Sequence, residues 1–312
     1  EPERIKYRSR LEPGRMFLID FKQQRIVEPQ EVIERIAGQN PYGQWLHENR
    51  VVLDSLPPAN NVPKVDMENL LNRQMAFGYS REDLHMLISP MAITGHQPQG
   101  SMGDDAPLAV LSDRPQSLFS YFKQGFAQVS NPPLDAIREK LVTQFAVPAG
   151  RRLNIFETTA LHCRTLRIDH PVLRNSDLAK IKASDKPGVK TKTISTTFTA
   201  TDGTKGLTDA LKRIRLEASQ AIEDGYTLII LSDRGVDRDN AYIPSLLATG
   251  AVHHHLIRER NRAQADIIIE SGEPREVHHF ATLFGYGASA INPYLAFETI
   301  AGLQLSPTAE EK

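Results

Sequence analysis

The chain contains very little cysteine. Of its 312 residues one is a cysteine, Cys163. A lone cysteine cannot form an internal disulfide, a cysteine-rich zinc site or an iron–sulfur cluster, and a reducing intracellular compartment is the expected setting. His162 and Arg164 flank Cys163 and would favour a thiolate, but adjacent side chains rarely point at one another and a free cysteine is mostly a small hydrophobe. The sequence therefore does not favour catalysis by Cys163.

Long apolar runs and an excess of one charge are also missing. Because no run of about 18 apolar residues occurs, we expect no membrane span. A net charge of −1 and a pI near 6.9 argue against a nucleic-acid partner. The first residues are charged and lack both an initiator Met and an apolar segment, which predicts neither a signal peptide nor a natural start but a piece of a longer protein. With 40% hydrophobic and 24% charged residues, a globular fold is expected.

The first half of the chain reads as a hairpin, a linker and several helices. Residues 15–20 and 25–28 predict two short strands joined by a polar turn. The segment 55–66, rich in Pro and Asn, predicts a linker or domain edge. Ser80 and Asp83 form a capping-box pattern that predicts a helix start. A further helix is expected from Pro115, with a buried stripe of Leu118, Phe119, Phe122, Phe126 and Val129.

From about residue 192 strands and helices alternate. Apolar runs at 226–232, 265–271 and 288–292 have the length of buried parallel strands, and amphipathic stretches at 207–225, 245–261 and 274–285 separate or precede them. This order predicts α/β architecture, either part of a barrel or a wound sheet.

Histidines are concentrated near the C-terminal end, at His253, His254, His255, His278 and His279. Successive helical side chains lie about 100° apart, whereas helical metal ligands need i, i+3 or i+4 spacing, so neither group can hold a metal alone. We expect His254 on the apolar face of its helix with its neighbours flanking it. Packing between helix and sheet is the favoured interpretation, and a composite site across two helices stays open.

Polar residues at the strand ends are the other candidates, because α/β folds place sites at the carboxyl ends of strands. They are Ser232, Asp233, Arg234, Glu270, Ser271, Glu273 and Asn292. The sequence SGEPRE at 271–276 offers one glycine, while its glutamates and proline oppose phosphate or flavin binding. The GSMGDD loop at 100–105 resembles an anion loop only superficially. Buried ion pairs and hydrogen bonds that fix loops are therefore favoured over an acid–base site with Asp233 positioned by Arg234.

Several long strings together resemble one family. They are RQMAFGYSREDL, GSMGDDAPLAVLSDRPQSLFSYFKQGFAQVSNPPLDAIREKLV, LRIDHPVL, ILSDRGVD, IPSLLATGAVHHHLIRE and ESGEPREVHHFATLFGYGASAINPYLAFET. In this order, over roughly 65–300, they resemble the central domain of the glutamate synthase large subunit. SRLEPGRMFLIDFKQQRIVEPQEV resembles the end of the family's glutamine amidotransferase domain.

The resemblance implies a parent enzyme that makes two glutamates from glutamine and 2-oxoglutarate, with FMN and a 3Fe–4S cluster. Its electrons would come from NAD(P)H through a small subunit or from ferredoxin. The implied domains are 1–55 for the amidotransferase end and linker, 56–301 for a barrel-like or incomplete β/α barrel with a helical N-terminal half, and 302–312 for a tail.

Within these residues the resemblance implies a scaffold in the cytoplasm, or in the plastid stroma of a plant. It would join the amidotransferase and FMN domains and contribute to the ammonia route, and it implies no catalytic, cofactor-binding or metal residue here. Two places depart from the family pattern, the stretch 143–163 and Gly125. A stand-alone module that binds flavin or a phosphorylated ligand, and a histidine-dependent metalloenzyme, are the alternative interpretations.

Overall fold

The structure is a computed structural model that describes residues 2–6, 8–98, 108–124 and 133–303. The chain separates into two compact units, Glu1–Asn49 and Arg50–Lys312. Gly125, Phe126, Val129 and the GSMGDD loop at 100–105 lie outside the described residues. Among the described residues, no helix is long and apolar enough to cross a membrane.

The first unit is a small hairpin followed by two helices. Its elements are β1 (Leu18–Asp20), β2 (Arg25–Val27), α1 (Pro29–Ala37) and α2 (Tyr42–Asn49). The two strands pair antiparallel. Asp20 Oδ1 accepts the backbone N–H groups of Lys22 and Gln23, which fixes the turn between the strands. The predicted hairpin is confirmed.

The second unit contains the remaining elements. Its strands are β3 (Val51–Val52), β4 (Val147–Ala149), β5 (Leu166–Ile168), β6 (Thr191–Ser195), β7 (Thr197–Thr199), β8 (Leu228–Ser232), β9 (Asn240–Tyr242), β10 (Asp266–Glu270) and β11 (Ala288–Asn292). Its helices are α3 (Leu70–Ala76), α4 (Ser89–Thr94), α5 (Ala136–Val142), α6 (Asn175–Ala183), α7 (Gly203–Glu223), α8 (Ser245–Arg258), α9 (Val277–Gly285) and α10 (Tyr294–Gly302).

A four-stranded parallel sheet in the order β11-β10-β8-β6 forms the centre of this unit. All residues of β8, β10 and β11 are buried, as expected for strands covered on both faces. Alternate residues of β8 enter different cores: Ile229 packs with α7, α8 and α9, whereas Ile230 packs with α6 and the β3-β5-β4 sheet. The predicted alternation of strands and helices is confirmed.

The predicted barrel is not confirmed, because among the described residues the main sheet is open and ends at β6 and β11. In the first half of the second unit, α3 and α5 have seven residues each, and α4 directly continues a π-helix at Asp83–Ile88. The stretch 118–122 is a 3-10 turn rather than the start of a long helix. Its Phe119 is nevertheless buried as predicted.

Candidate functional site

Polar side chains gather at the carboxyl edge of the main sheet. The register pairs Ser195 and Glu270 with Ser232, and Glu270 with Asn292, so four strands end at the same level. This is the edge where α/β folds place ligand sites. The candidates predicted from the strand ends therefore do lie together.

Glu270 lies at the centre of the first group of charges. Its side chain is almost wholly buried, with 1% exposure, and accepts from Arg234 Nε at 2.6 Å and from Lys182 Nζ at 2.7 Å. Burial opposes ionisation, but the two cations and the hydrogen bonds outweigh it, so the pKa of Glu270 is below its usual value. Glu270 is thus an anion held by two cations.

A second buried carboxylate continues this group. Glu298 on α10 accepts from Arg234 Nη1 at 3.3 Å and also pairs with Arg73 of α3. The Arg234 guanidinium in addition lies 4.1 Å from the centre of the Tyr294 ring. Lys182, Glu270, Arg234, Glu298 and Arg73 therefore form one continuous chain of ion pairs, which we call the charge chain.

Asp233 occupies a different environment on the same edge. Its Oδ1 accepts from the backbone N–H of Gly272 at 3.0 Å and from the Tyr294 hydroxyl at 2.8 Å. Burial raises the pKa of Asp233 to about 7. Glu273 accepts from both the backbone N–H and the hydroxyl of Ser245 at 2.6 Å, and burial raises its pKa as well. Both carboxyls thus fix the loops that follow β8 and β10.

An earlier part of the chain fills part of this edge. Phe77 is buried, its ring is stacked on Tyr242 at 4.5 Å, and a Cβ on Gly272 would lie only 2.6 Å from the Phe77 ring. The Tyr79 hydroxyl donates to the Gly272 carbonyl at 2.9 Å. Arg275 donates to the carbonyl of Phe77. We call residues 66–88 the plug, because they occupy the position a ligand takes in many α/β proteins.

The plug changes what the strand-end residues can do. Asp233 and Glu273 accept hydrogen bonds from groups of the protein itself, including the Ser245 hydroxyl beside Glu273. Because Ser245 is itself buried, this pair fixes the start of α8 rather than presenting a nucleophile to solvent. Buried ion pairs and loop-fixing hydrogen bonds, the favoured interpretation from sequence, are what the geometry contains. Arg234 does not position Asp233 for acid–base chemistry, because it pairs with the two glutamates instead.

The histidine run on α8 serves packing. His253 Nδ1 accepts from Arg262 Nε at 3.0 Å, and His255 Nε2 lies 2.9 Å from the Ser219 hydroxyl of α7. Burial lowers the pKa of both rings, which keeps them neutral at pH 7. His254 is exposed, so its predicted place on the apolar face is wrong. The buried face runs instead through residues such as Val252 and Leu256.

The second histidine pair joins α9 to the 3-10 turn at 118–122. His278 Nε2 lies 3.0 Å from the Phe119 carbonyl, and the His279 ring is stacked on the Phe119 ring at 4.3 Å. His279 also hydrogen-bonds Glu276 at 3.0 Å, which lowers the pKa of Glu276 to about 2. No group of three His, Cys, Asp or Glu residues in the described ranges could hold a metal ion.

Within the described residues, no base is aligned with Cys163. It is half-buried at the end of a 3-10 turn. Its neighbour His162 uses Nε2 for the Asn154 carbonyl at 3.0 Å and Nδ1 for Thr159 at 3.1 Å. Both ring nitrogens of His162 are therefore engaged elsewhere.

Reasoning from sequence missed the partners that complete the edge. They are Arg73, Phe77, Tyr79, Asn175, Lys182, Tyr294 and Glu298. One signal was available, because Glu298 is the lone charge in the apolar helix YLAFETIAG and a buried charge needs a partner. The sequence did not reveal which residue that partner is, since Arg73 lies 225 positions from Glu298.

Comparison with known proteins places this architecture in a family. The model of the glutamate synthase central domain family matches residues 72–312. The chain belongs to the glutamate synthase central domain family. The model of class-II glutamine amidotransferases matches residues 1–45. The resemblance found in the long sequence strings is thereby confirmed.

Individual relatives agree with this assignment. The NADPH-type glutamate synthase large chain of Bacillus subtilis is 46% identical over 96% of this chain and 19% of its own length. The NADH-type glutamate synthase of Schizosaccharomyces pombe is 40% identical over 97% of this chain and 15% of its own. The chloroplastic ferredoxin-dependent glutamate synthase of Oryza sativa is 41% identical over 98% and 19%. The chain thus spans less than a fifth of the length of these relatives.

Proposed function

We propose that this chain is the central connecting domain of a glutamate synthase, an oxidoreductase that forms two glutamates from glutamine and 2-oxoglutarate. The observation that carries the proposal is the order of the two family matches, an amidotransferase end at 1–45 followed by the central domain at 72–312. We propose the domain limits 1–55, 56–301 and 302–312 for the amidotransferase end with linker, the central domain and a tail. The setting would be the cytoplasm, or the plastid stroma in a plant.

Exposed apolar side chains support a role in joining domains. In the second unit Ile155 and Phe156 are 86% and 90% exposed, and on α5 Ile137 and Leu141 are 81% and 78% exposed. Apolar side chains exposed side by side, as in these two pairs, mark surfaces that other protein covers, whereas a single exposed apolar residue needs no partner. We propose that the amidotransferase and FMN domains of the same polypeptide cover them. The electron donor would be ferredoxin or an NAD(P)H-oxidising subunit, as the names of the relatives suggest.

The residues of this chain do not fit the cofactors of the parent enzyme. A 3Fe–4S cluster needs several cysteine ligands, and this chain has one cysteine. FMN would need a phosphate-binding loop at the carboxyl edge, where the plug and the carboxylates Asp233 and Glu273 lie. We therefore propose that other domains hold both cofactors and that these residues perform no catalysis of their own. A stand-alone flavin-binding module is not favoured for the same reasons.

We further propose that the domain contributes to the route that carries ammonia from the amidotransferase domain. Loops 232–240 and 270–276 and the GSMGDD loop are the proposed wall or interface segments. Ammonia is small and uncharged, so a near-neutral surface that excludes water would suffice for its passage.

The test uses a complete glutamate synthase that contains this chain. The double substitution Ile155→Ser and Phe156→Ser should weaken the contact between this domain and its neighbouring domains. Glutamine hydrolysis should then continue, but the amount of glutamate formed per glutamine hydrolysed should fall and free ammonia should appear. Leu216→Ser is the matched control, because Leu216 is an exposed apolar residue on α7 with 67% exposure. An unchanged ratio in the folded double variant would argue against the connecting role.

A further inference from the structure

A cavity of about 430 Å³ opens at the carboxyl edge beside the charge chain. It lies between the linker after β3, helix α6 and the ends of β8 and β10. Its polar lining comprises Asn60, Asn61, Asn175, Lys182, Arg234 and Glu270. This volume is within the range of small-molecule sites, roughly 300–1,000 Å³.

The charged residues that line the cavity carry an excess of one positive charge. They are two cations, Lys182 and Arg234, and one carboxylate, Glu270, so two minus one leaves one. Glu270 is 1% exposed and cannot turn to solvent. This excess at the lining favours an anion over a cation or a neutral guest.

Lys182 is the cation best placed to meet that anion. Its side chain is 32% exposed, and among the described residues its ammonium contacts one acceptor, Glu270 Oε2. An ammonium has three N–H donors, so two remain for a guest. Arg234 donates from Nε, Nη1 and Nη2 to Glu270, Glu298 and Asn175. These contacts hold its guanidinium in one position at the side of the cavity.

Amide and apolar groups complete the lining. Asn175 Oδ1 accepts from Arg234 and from Asn292, so its own amide N–H groups are the donors it has left. The apolar part of the lining is Ala59, Pro63, Leu178, Ala179 and Ala183. A second negative charge on the guest would meet Glu270, which disfavours a phosphate dianion.

We propose that this cavity is a binding site for a small aliphatic monocarboxylate. The carboxylate contacts the Lys182 ammonium and the amide of Asn175, and the short hydrocarbon part lies against the alanines and Pro63. The site is separate from the plugged part of the edge and does not depend on the connecting role of the domain.

The test is saturation-transfer NMR on the 312-residue chain, with sodium butyrate as the probe and ionic strength held constant. Butyrate should give a saturable signal with a dissociation constant in the millimolar range, about −4 kcal/mol. Butyramide has the same shape without the charge and should give little or none. Equal signals from butyrate and butyramide would overturn the proposal.

Variants of the lining locate the signal. Lys182→Met should weaken butyrate binding by about fivefold or more, the loss expected for one charge-assisted contact, and Lys182→Arg should retain most of it. Lys180→Met is the matched control, because Lys180 is on the same helix outside the lining. Asn61→Asp, at an exposed linker position, should weaken binding without disturbing the charge chain. Unchanged binding in Lys182→Met and Asn61→Asp would refute the site.

Discussion

At the scale of single residues, the carboxyl edge contains carboxyls of two kinds. Glu270 is an anion because two cations face it, whereas Asp233 faces neutral donors and has a pKa raised by burial to about 7. Glu270 is the last residue of β10 and Asp233 directly follows β8, so their positions were predictable from the sequence. Their difference in charge was not, because it depends on Lys182 and Arg234 on one side and on Tyr294 on the other.

Asp233 should make the stability of the domain depend on pH. The folded state binds its proton more tightly than the unfolded state, whose pKa is near 3.8, so this stability is fully present below that pH and is lost as pH rises toward 7. Asp233→Asn removes the ionisable group. Relative to the parent chain, the variant should gain about 3 kcal/mol in unfolding free energy between pH 5 and pH 8, measured with urea.

Asp237→Asn is the control for this titration. Asp237 is exposed, and hydrogen bonds from the backbone of Asp239 and Asn240 keep its pKa below the usual value. It is therefore ionised from pH 5 to pH 8, and the difference between Asp237→Asn and the parent should stay constant. If the Asp233→Asn difference is equally constant, the raised pKa is wrong.

Gly272 should tolerate no side chain. A Cβ there would lie 2.6 to 2.8 Å from three atoms of the buried Phe77 ring. Gly272→Ala should cost about 1–3 kcal/mol of unfolding free energy, as overpacking does. Gly250→Ala on α8 is the contrasting control, because its Cβ would meet Tyr286 at an ordinary 3.4 Å and the helix should gain up to about 1 kcal/mol. Equal effects of the two substitutions would contradict the packing of Phe77.

At the scale of elements, the periodicity of apolar residues predicted strands and helices best where they pack in regular layers. The alternation of buried strands and amphipathic helices from 191 to 292 was readable because β8, β10 and β11 are covered on both faces. The predicted orientation of α8 was wrong, since His254 was expected on the apolar face although it is exposed. In a helix whose apolar residues lie on more than one face, contacts with neighbouring elements decide which face is buried.

The capping box formed by Ser80 and Asp83 in the plug was predicted correctly from the sequence. Ser80 Oγ accepts the Asp83 N–H at 3.0 Å, and Asp83 Oδ2 accepts the Ser80 N–H at 2.9 Å. Ser80→Ala should cost about 1 kcal/mol in urea unfolding. Ser117→Ala should cost little, because Ser117 precedes the 3-10 turn without a side-chain cap. A Ser80→Ala variant as stable as the parent would show that the box contributes nothing.

At the scale of the whole molecule, long stretches of the sequence predicted the family. They did not predict that the plug would pack against the carboxyl edge of the sheet. The plug contacts strand-end loops nearly two hundred positions away, as in Tyr79 with Gly272 and Arg275 with Phe77. No local pattern encodes such pairs. Among the described residues the main sheet stops at β6 and at β11, whose outer edge forms an isolated bridge between Ile291 and Val172. Sequence periodicity does not reveal where strand pairing stops.

The chain's own plug covers the loops after β8 and β10, at the edge where an α/β protein would hold a flavin. Titrating the purified 312-residue chain with FMN, while recording visible absorption and fluorescence, tests this claim most directly. With the parent chain we expect no saturable spectral shift at micromolar FMN concentrations. Gly272→Ala, in which the plug is disturbed, is titrated in the same way. A stoichiometric complex with a shifted flavin spectrum in the parent chain would contradict the account.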